Sequence, residues 1–249
     1  MTAVRGTRSC ALTVVCALVA LVTPTRPDAA EPDAPDQIAL EDFEDNAVGA
    51  FPADWDAKGW GEIRNKPYKV HEENGNRFLR AEDTGENVVL ARSVRWDLKT
   101  YRYLSWRWRI RAVPLGADER YESLADSAAG IYLTYRRKLG VLPESIKFVW
   151  STGLPEGAAL RRRGIGMPWT IVAGTGTAPT NEWQTFVFDA LEAYRETFGG
   201  DPVDRPLGLG LLSDANNTGT RAFADYDDIL ALKHAPSASR IRQFIPAEP

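Results

Sequence analysis

Cysteine, histidine and methionine each occur only twice in 249 residues. Both cysteines, Cys10 and Cys16, lie in the first 30 residues, in a segment with the features of an export signal, so the expected mature chain has no thiol. Thiol catalysis, cysteine-ligated zinc and disulfide stapling are excluded together. His71 and His234 form no zinc-binding pair, and no nucleophile elbow is present. Gly174-Thr175-Gly176-Thr177 lacks the following helix that a phosphate-cradling loop requires. Basic charge is also short, with 30 Lys+Arg against 34 Asp+Glu and a formal charge of −4, so nucleic acid finds no general attraction and is excluded as a partner. The longest apolar stretch, 10–22, is too short to span a bilayer comfortably.

What is present is an ordinary apolar fraction of 44%, with 20 Gly, 16 Pro and 8 Trp. Residues 1–30 carry Arg5 and Arg8 ahead of that apolar stretch and Pro24, Pro27 and Ala29-Ala30 after it. This predicts an exported, periplasmic or extracellular protein with a signal peptide and no transmembrane anchor after processing. Residues 31–37 read as a linker, 38–234 as one folded domain, and 235–249 as a flexible Pro/Ser/Ala-rich tail.

Within the domain, short β-branched and aromatic runs alternate with turn clusters, the pattern of an all-β, two-sheet antiparallel sandwich of jelly-roll type. Strands are predicted at 38–43, 68–72, 77–81, 88–94, 103–111, 128–135, 146–150, 169–173, 183–188, 207–213 and 222–232. A single short helix is predicted at 190–198, ended by Gly199-Gly200. In 103–111, Leu104, Trp106, Trp108 and Ile110 share one face, and Ser105, Arg107, Arg109 and Arg111 share the other. In 207–211, leucines alternate with Gly208 and Gly210, which leaves either room for a ligand or room for tight sheet packing. In 222–232, Asp228 falls on the same parity as Ala222, Ala224, Tyr226, Leu230 and Leu232, an apolar face on which a carboxylate needs a partner.

Four segments together resemble a bacterial, mostly secreted family, the domain of unknown function numbered 3047. They are Ile146-Lys147-Phe148-Val149-Trp150, Ala193-Tyr194-Arg195-Glu196-Thr197-Phe198-Gly199, Ser213-Asp214-Ala215-Asn216-Asn217-Thr218-Gly219 and Asp225-Tyr226-Asp227-Asp228-Ile229. The resemblance implies a secreted sandwich domain and transfers no activity. It departs at Asp126-Ser127-Ala128-Ala129-Gly130, where such sequences tend to carry a second acid and an arginine. More loosely, Glu41-Asp42-Phe43-Glu44 and Asp227-Asp228-Ile229 look like the first and last strands of jelly-roll carbohydrate-binding modules, which the resemblance implies are neighbours.

Two places suit a structural calcium. One pairs Glu41 or Glu44 with Asp228; the other runs through Asp214, Asn216, Thr218 and Gly219, with Asp225 at the twelfth position. An ion pair for Asp228 and an Asx-rich turn at 214–219 are the competing readings. Trp60, Trp150, Trp169, Tyr132 and Tyr135 offer flat faces for sugar rings, and Arg107, Arg109 and Arg111 suit carboxylated ligands; burial of the aromatics and a solvated arginine face are the alternatives. Arg161-Arg162-Arg163 reads as a solvated loop. The predicted binding site is Arg107, Arg109, Tyr132, Lys147, Trp150, Gly208 and Gly210, on a non-catalytic protein that takes a glycan or another anionic extracytoplasmic molecule. The alternatives are a carboxylate-dependent carbohydrate-active enzyme, with Asp126, Glu156, Asp214 and Asp225 converging in a cleft, and an envelope scaffold protein with a broad apolar patch.

Overall fold

A computed structural model describes residues 35–58, 67–136, 143–236 and 245–246. The expected export signal, most of the tail and Trp60 lie outside the described residues. In chain order the strands are β1 (Gln37–Glu41), β2 (Asp56–Lys58), β3 (Tyr68–Glu73), β4 (Asn76–Asp83), β5 (Val89–Arg92), β6 (Tyr103–Ala112) and β7 (Ala129–Tyr135). They continue with β8 (Glu144–Ser151), β9 (Ala158–Arg161), β10 (Trp169–Thr175), β11 (Gln184–Asp189), β12 (Gly208–Leu211), β13 (Ala222–Leu232) and β14 (Ile245–Pro246). The helix α1 (Ala190–Phe198) follows β11 directly.

These strands form the predicted two-sheet sandwich of jelly-roll type. One sheet runs β11-β6-β13-β4-β3, with β1 taking over from β4 along the second half of β13. The other runs β14-β9-β10-β8-β7-β12-β5-β2. Pairing is antiparallel except for β8 with β10 and β9 with β14. All eleven predicted strands form; β2, β9 and β14 went unread, because three charged or small residues, a four-residue run and a Pro-containing pair carry no usable period.

Alternation in β6 holds as read. Leu104, Trp106, Trp108 and Ile110 are buried between the sheets, where Trp106 meets Phe148 of the facing sheet at 5.4 Å and stacks on Phe186 and Phe188 of its own. Burying large aromatic faces is the main stabilising term for such a core. The helix starts on the Asp189 carboxylate, which accepts from the Glu192 N–H, and stops at Gly199, whose φ of 77° suits a residue without a side chain.

The parity of β13 does not hold over its length. Ala222, Ala224 and Tyr226 face the core, but the register with β6 shifts between Asp227 and Leu230, and Asp228 takes the left-handed φ of 46°. A bulge inserts one residue and swaps the faces beyond it. Ile229 and Ala231 therefore enter the core, Leu230 turns partly outward, and Asp228 leaves the apolar face to which simple alternation assigned it.

Candidate functional site

The two outer faces of the sandwich differ chemically. On the six-stranded sheet, the arginine face of β6 is neutralised by acids of β3, β4 and β13. Arg107 meets Asp227 at 2.6 Å and Asp228 at 2.9 Å. Arg109 meets Asp225 at 2.6 Å and Glu73 at 2.8 Å, and Arg111 meets Glu82 at 2.7 Å. Asp225, wholly buried, also takes Arg80 at 2.9 Å. The Trp183 ring lies 4.9 Å from both the Arg107 and the Arg109 guanidinium carbon. Hydrogen bonding to Arg109 holds the Glu73 carboxyl below its usual range, while burial pushes Asp227 up despite its partners Asn76 and Arg107. The guanidinium groups predicted to meet a ligand are thus committed to carboxylates of their own chain.

The eight-stranded sheet presents a different surface. Cross-strand register aligns Asp56, Ala91, Gly210, Tyr132, Lys147, Thr170 and Leu160 in one row across six neighbouring pairs. Directly opposed residues point to the same side, and Ile131, Leu133, Ile146 and Phe148 point into the core, so this row lies on the outer face. Near Asp56 a groove of about 780 Å³ is lined by Asp54, Trp55, Asp56, Arg92, Thr134 and Gly208, among others. In the middle a smaller cavity of about 120 Å³ is lined by Glu119, Tyr132, Lys147, Arg162, Met167 and Thr170, with Ala125 and Pro168.

Lys147 is the centre of that cavity and only 6% exposed. Its stem crosses Gly130, where a Cβ would stand 2.9 Å from the lysine Cε, and its ammonium lies 5.5 Å from the Tyr132 ring centroid. Glu119 is also buried, with one carboxylate oxygen accepting from the Ser127 hydroxyl at 3.0 Å and the other from Ser151 at 2.6 Å. Burial pushes the Glu119 and Asp214 carboxyls up, opposed in both by the charge of Lys147.

The predicted site is therefore divided. Tyr132, Lys147, Gly208 and Gly210 share the outer face of the eight-stranded sheet, while Arg107 and Arg109 stand on the outer face of the other sheet. Trp150 is a core residue whose ring packs where a Cβ on Gly174 would sit, at 2.6 Å. The glycines of β12 serve packing: a Cβ on Gly208 would come within 2.4 Å of the Arg92 carbonyl oxygen, and one on Gly210 within 3.1 Å of Tyr132 Cβ. Among the other aromatics, Tyr135 is in the core and donates to the Ala190 carbonyl, and Trp169 packs half-buried against the core.

The expected calcium ligands have partners within the chain, and among the described residues no group of three or more acids or histidines could hold a metal ion. Glu44 accepts from the Arg77 N–H, Glu41 from the Trp55 indole and from Arg92, and Asp228 pairs with Arg107. The 214–219 segment is a turn whose Asn217 and Thr218 N–H groups donate to Asp126, with Asp214 accepting from Asn216. The four acids considered for catalysis do not converge either, since Asp225 is ion-paired on the opposite sheet and Glu156 is exposed in a turn. Nothing along the chain marks Glu119, and Arg162 lies in a run of three arginines that reads as solvated. The only signal was Lys147, a lone cation inside a run of apolar residues.

These positions lie within a longer match to a known family. The profile of the proteins of unknown function DUF3047 matches residues 53–230. The chain belongs to that family. The match includes β8 with Lys147, the Asp126 and 214–219 segments and most of β13. No curated protein sequence matches this member of the family. Among solved structures it is similar over 83% of its length to 99% of a family 11 carbohydrate-binding module from a cellulosomal cellulase of Clostridium thermocellum, at 10% identity and a TM-score of 0.45. A family 30 carbohydrate-binding module of the same organism aligns over 78% of this chain and 95% of that one, at 13% identity and a TM-score of 0.41. A Caldicellulosiruptor saccharolyticus module solved with mannohexaose aligns over 82% and 100%, at 13% identity and a TM-score of 0.37.

Proposed function

We propose that this DUF3047 member is an exported, non-catalytic protein that binds a glycan on the outer face of its eight-stranded sheet. The observation that carries the reading is the contrast between the two faces. The arginine face is closed by its own ion pairs, whereas the row from Asp56 to Thr170 borders a polar groove of about 780 Å³ and a smaller charged cavity on one surface. A groove lined by carboxylates, Ser93 and Thr134 suits a polyol, because sugar hydroxyls both donate and accept. Tyr132, in the middle of the row, supplies a flat apolar surface for a ring face.

A glycan array followed by calorimetric titration of the best ligand tests this. Tyr132→Ala is expected to weaken binding about tenfold or more, as loss of a central aromatic contact does at other interfaces. Arg109→Ala is expected to leave affinity unchanged. Failure of every glycan to bind, or affinity that follows Arg109 and ignores Tyr132, overturns the proposal.

A further inference from the structure

The smaller cavity narrows the ligand class, on the premise that the outer face of the eight-stranded sheet is the glycan surface. Two cations line it, Lys147 from β8 and Arg162 from the loop after β9. Among the described residues neither forms an ion pair or a hydrogen bond, although eleven other arginines of the domain do so with acids or carbonyl groups. For Lys147 this is unusual, because a lysine is seldom so deeply buried without a partner.

No acid among the described residues lies within ion-pair distance of either cation, although the charges of both act on Asp214. Glu119, the one carboxylate among the described residues lining the cavity, accepts a serine hydroxyl on each oxygen. Asp126 receives the Asn217 and Thr218 N–H groups on its two oxygens, and Asp214 receives the Asn216 N–H on one oxygen at 3.4 Å. These charges lower the cost of burying Lys147 without capping it, so its ammonium retains donor capacity toward the cavity. A cavity of about 120 Å³ has room for a few waters or for one small substituent, and a whole sugar ring does not fit inside it.

We infer that Lys147 and Arg162 form a receptor for a single monoanionic oxygen group, a carboxylate or a sulfate ester, carried by an acidic glycan whose chain lies along the neighbouring groove. The guanidinium fork and the ammonium supply charge-assisted donors, and Tyr132 packs beside the ring that bears the group. Glu119 on the cavity wall repels a doubly charged phosphate more strongly than a monoanion, which favours the carboxylate or sulfate ester over it.

The test is calorimetric titration of the full-length wild-type protein with four ligands of equal length: an oligouronate, its methyl ester, a singly sulfated neutral oligosaccharide and the unsulfated parent. Binding of an acidic ligand, with about tenfold or greater loss on esterification or desulfation, supports the receptor. Which acidic ligand binds identifies carboxylate or sulfate as the source of charge. Arg162→Ala and Lys147→Met should each reduce that preference, and higher salt should shrink it less than at an exposed pair, since Lys147 is buried. Equal binding of acidic and neutral forms overturns the receptor while leaving the glycan surface intact. If none of the four binds, the receptor fails, and the glycan array decides the glycan surface separately.

Discussion

At the scale of single residues, the strongest constraints come from charges and glycines that have no room to move. Asp225 is wholly buried and is ion-paired with Arg80 and Arg109. Removing one partner of a buried pair leaves part of that charge uncompensated, so Arg109→Ala is expected to cost about 2 kcal/mol in urea unfolding, less than a sole partner would because Arg80 remains. An unchanged unfolding midpoint would show that the network is only decorative. Gly208 is constrained by contact with backbone, since its added methyl would stand 2.4 Å from a carbonyl oxygen that cannot rotate away. Gly208→Ala is expected to cost about 1–3 kcal/mol, as other overpacked sites do, and to loosen the pairing of β5 with β12. Amide exchange across that ladder is the measurement.

At the scale of elements, β13 organises the six-stranded sheet by pairing with β6, β4 and β1. Its bulge at Asp228 lets one strand send Tyr226 and Ile229 into the same core while Asp227 and Asp228 face Arg107. The left-handed backbone there costs little for Asp or Gly and much more for a β-branched residue. Asp228→Gly is therefore expected to change stability by less than about 0.5 kcal/mol, the ion pair it gives up being half-exposed. Asp228→Val should lose about 1–2 kcal/mol. Equal effects of the two substitutions in thermal melts would remove the conformational explanation. The helix α1, with its Asp189 start and Gly199 stop, could be read directly from the chain because both signals are local. The bulge could not, since an extra residue in a strand leaves no mark until the partner strand is in place.

At the scale of the whole molecule, pH dependence follows from where the acids end up. Burial pushes Asp83 up from its ordinary 3.8 to about 6, and burial also raises Glu119, Asp214 and Asp227. The folded state then holds these protons more tightly than the unfolded chain, so stability should rise as pH falls through about 6 toward 4. Glu73 and Asp97 are lowered by hydrogen bonds to Arg109 and Thr100, and their contribution is lost below the usual carboxylate range. The melting temperature is expected to pass through a maximum between about pH 4 and pH 6, and Asp83→Asn should flatten its rise. A melting temperature that only falls from pH 7 downward contradicts this account. The sequence alone determined the sandwich, its single helix, the apolar half of β6 and the membership of the family, because alternation, capping and motif spacing are properties of neighbours along the chain. Whether Arg107 and Arg109 were open or paired, and whether Lys147 and Tyr132 stood beside them or on the other sheet, depended on which strands lie side by side. Only the tertiary structure decided that, by pairing β6 with β13 and β7 with β8 in different sheets.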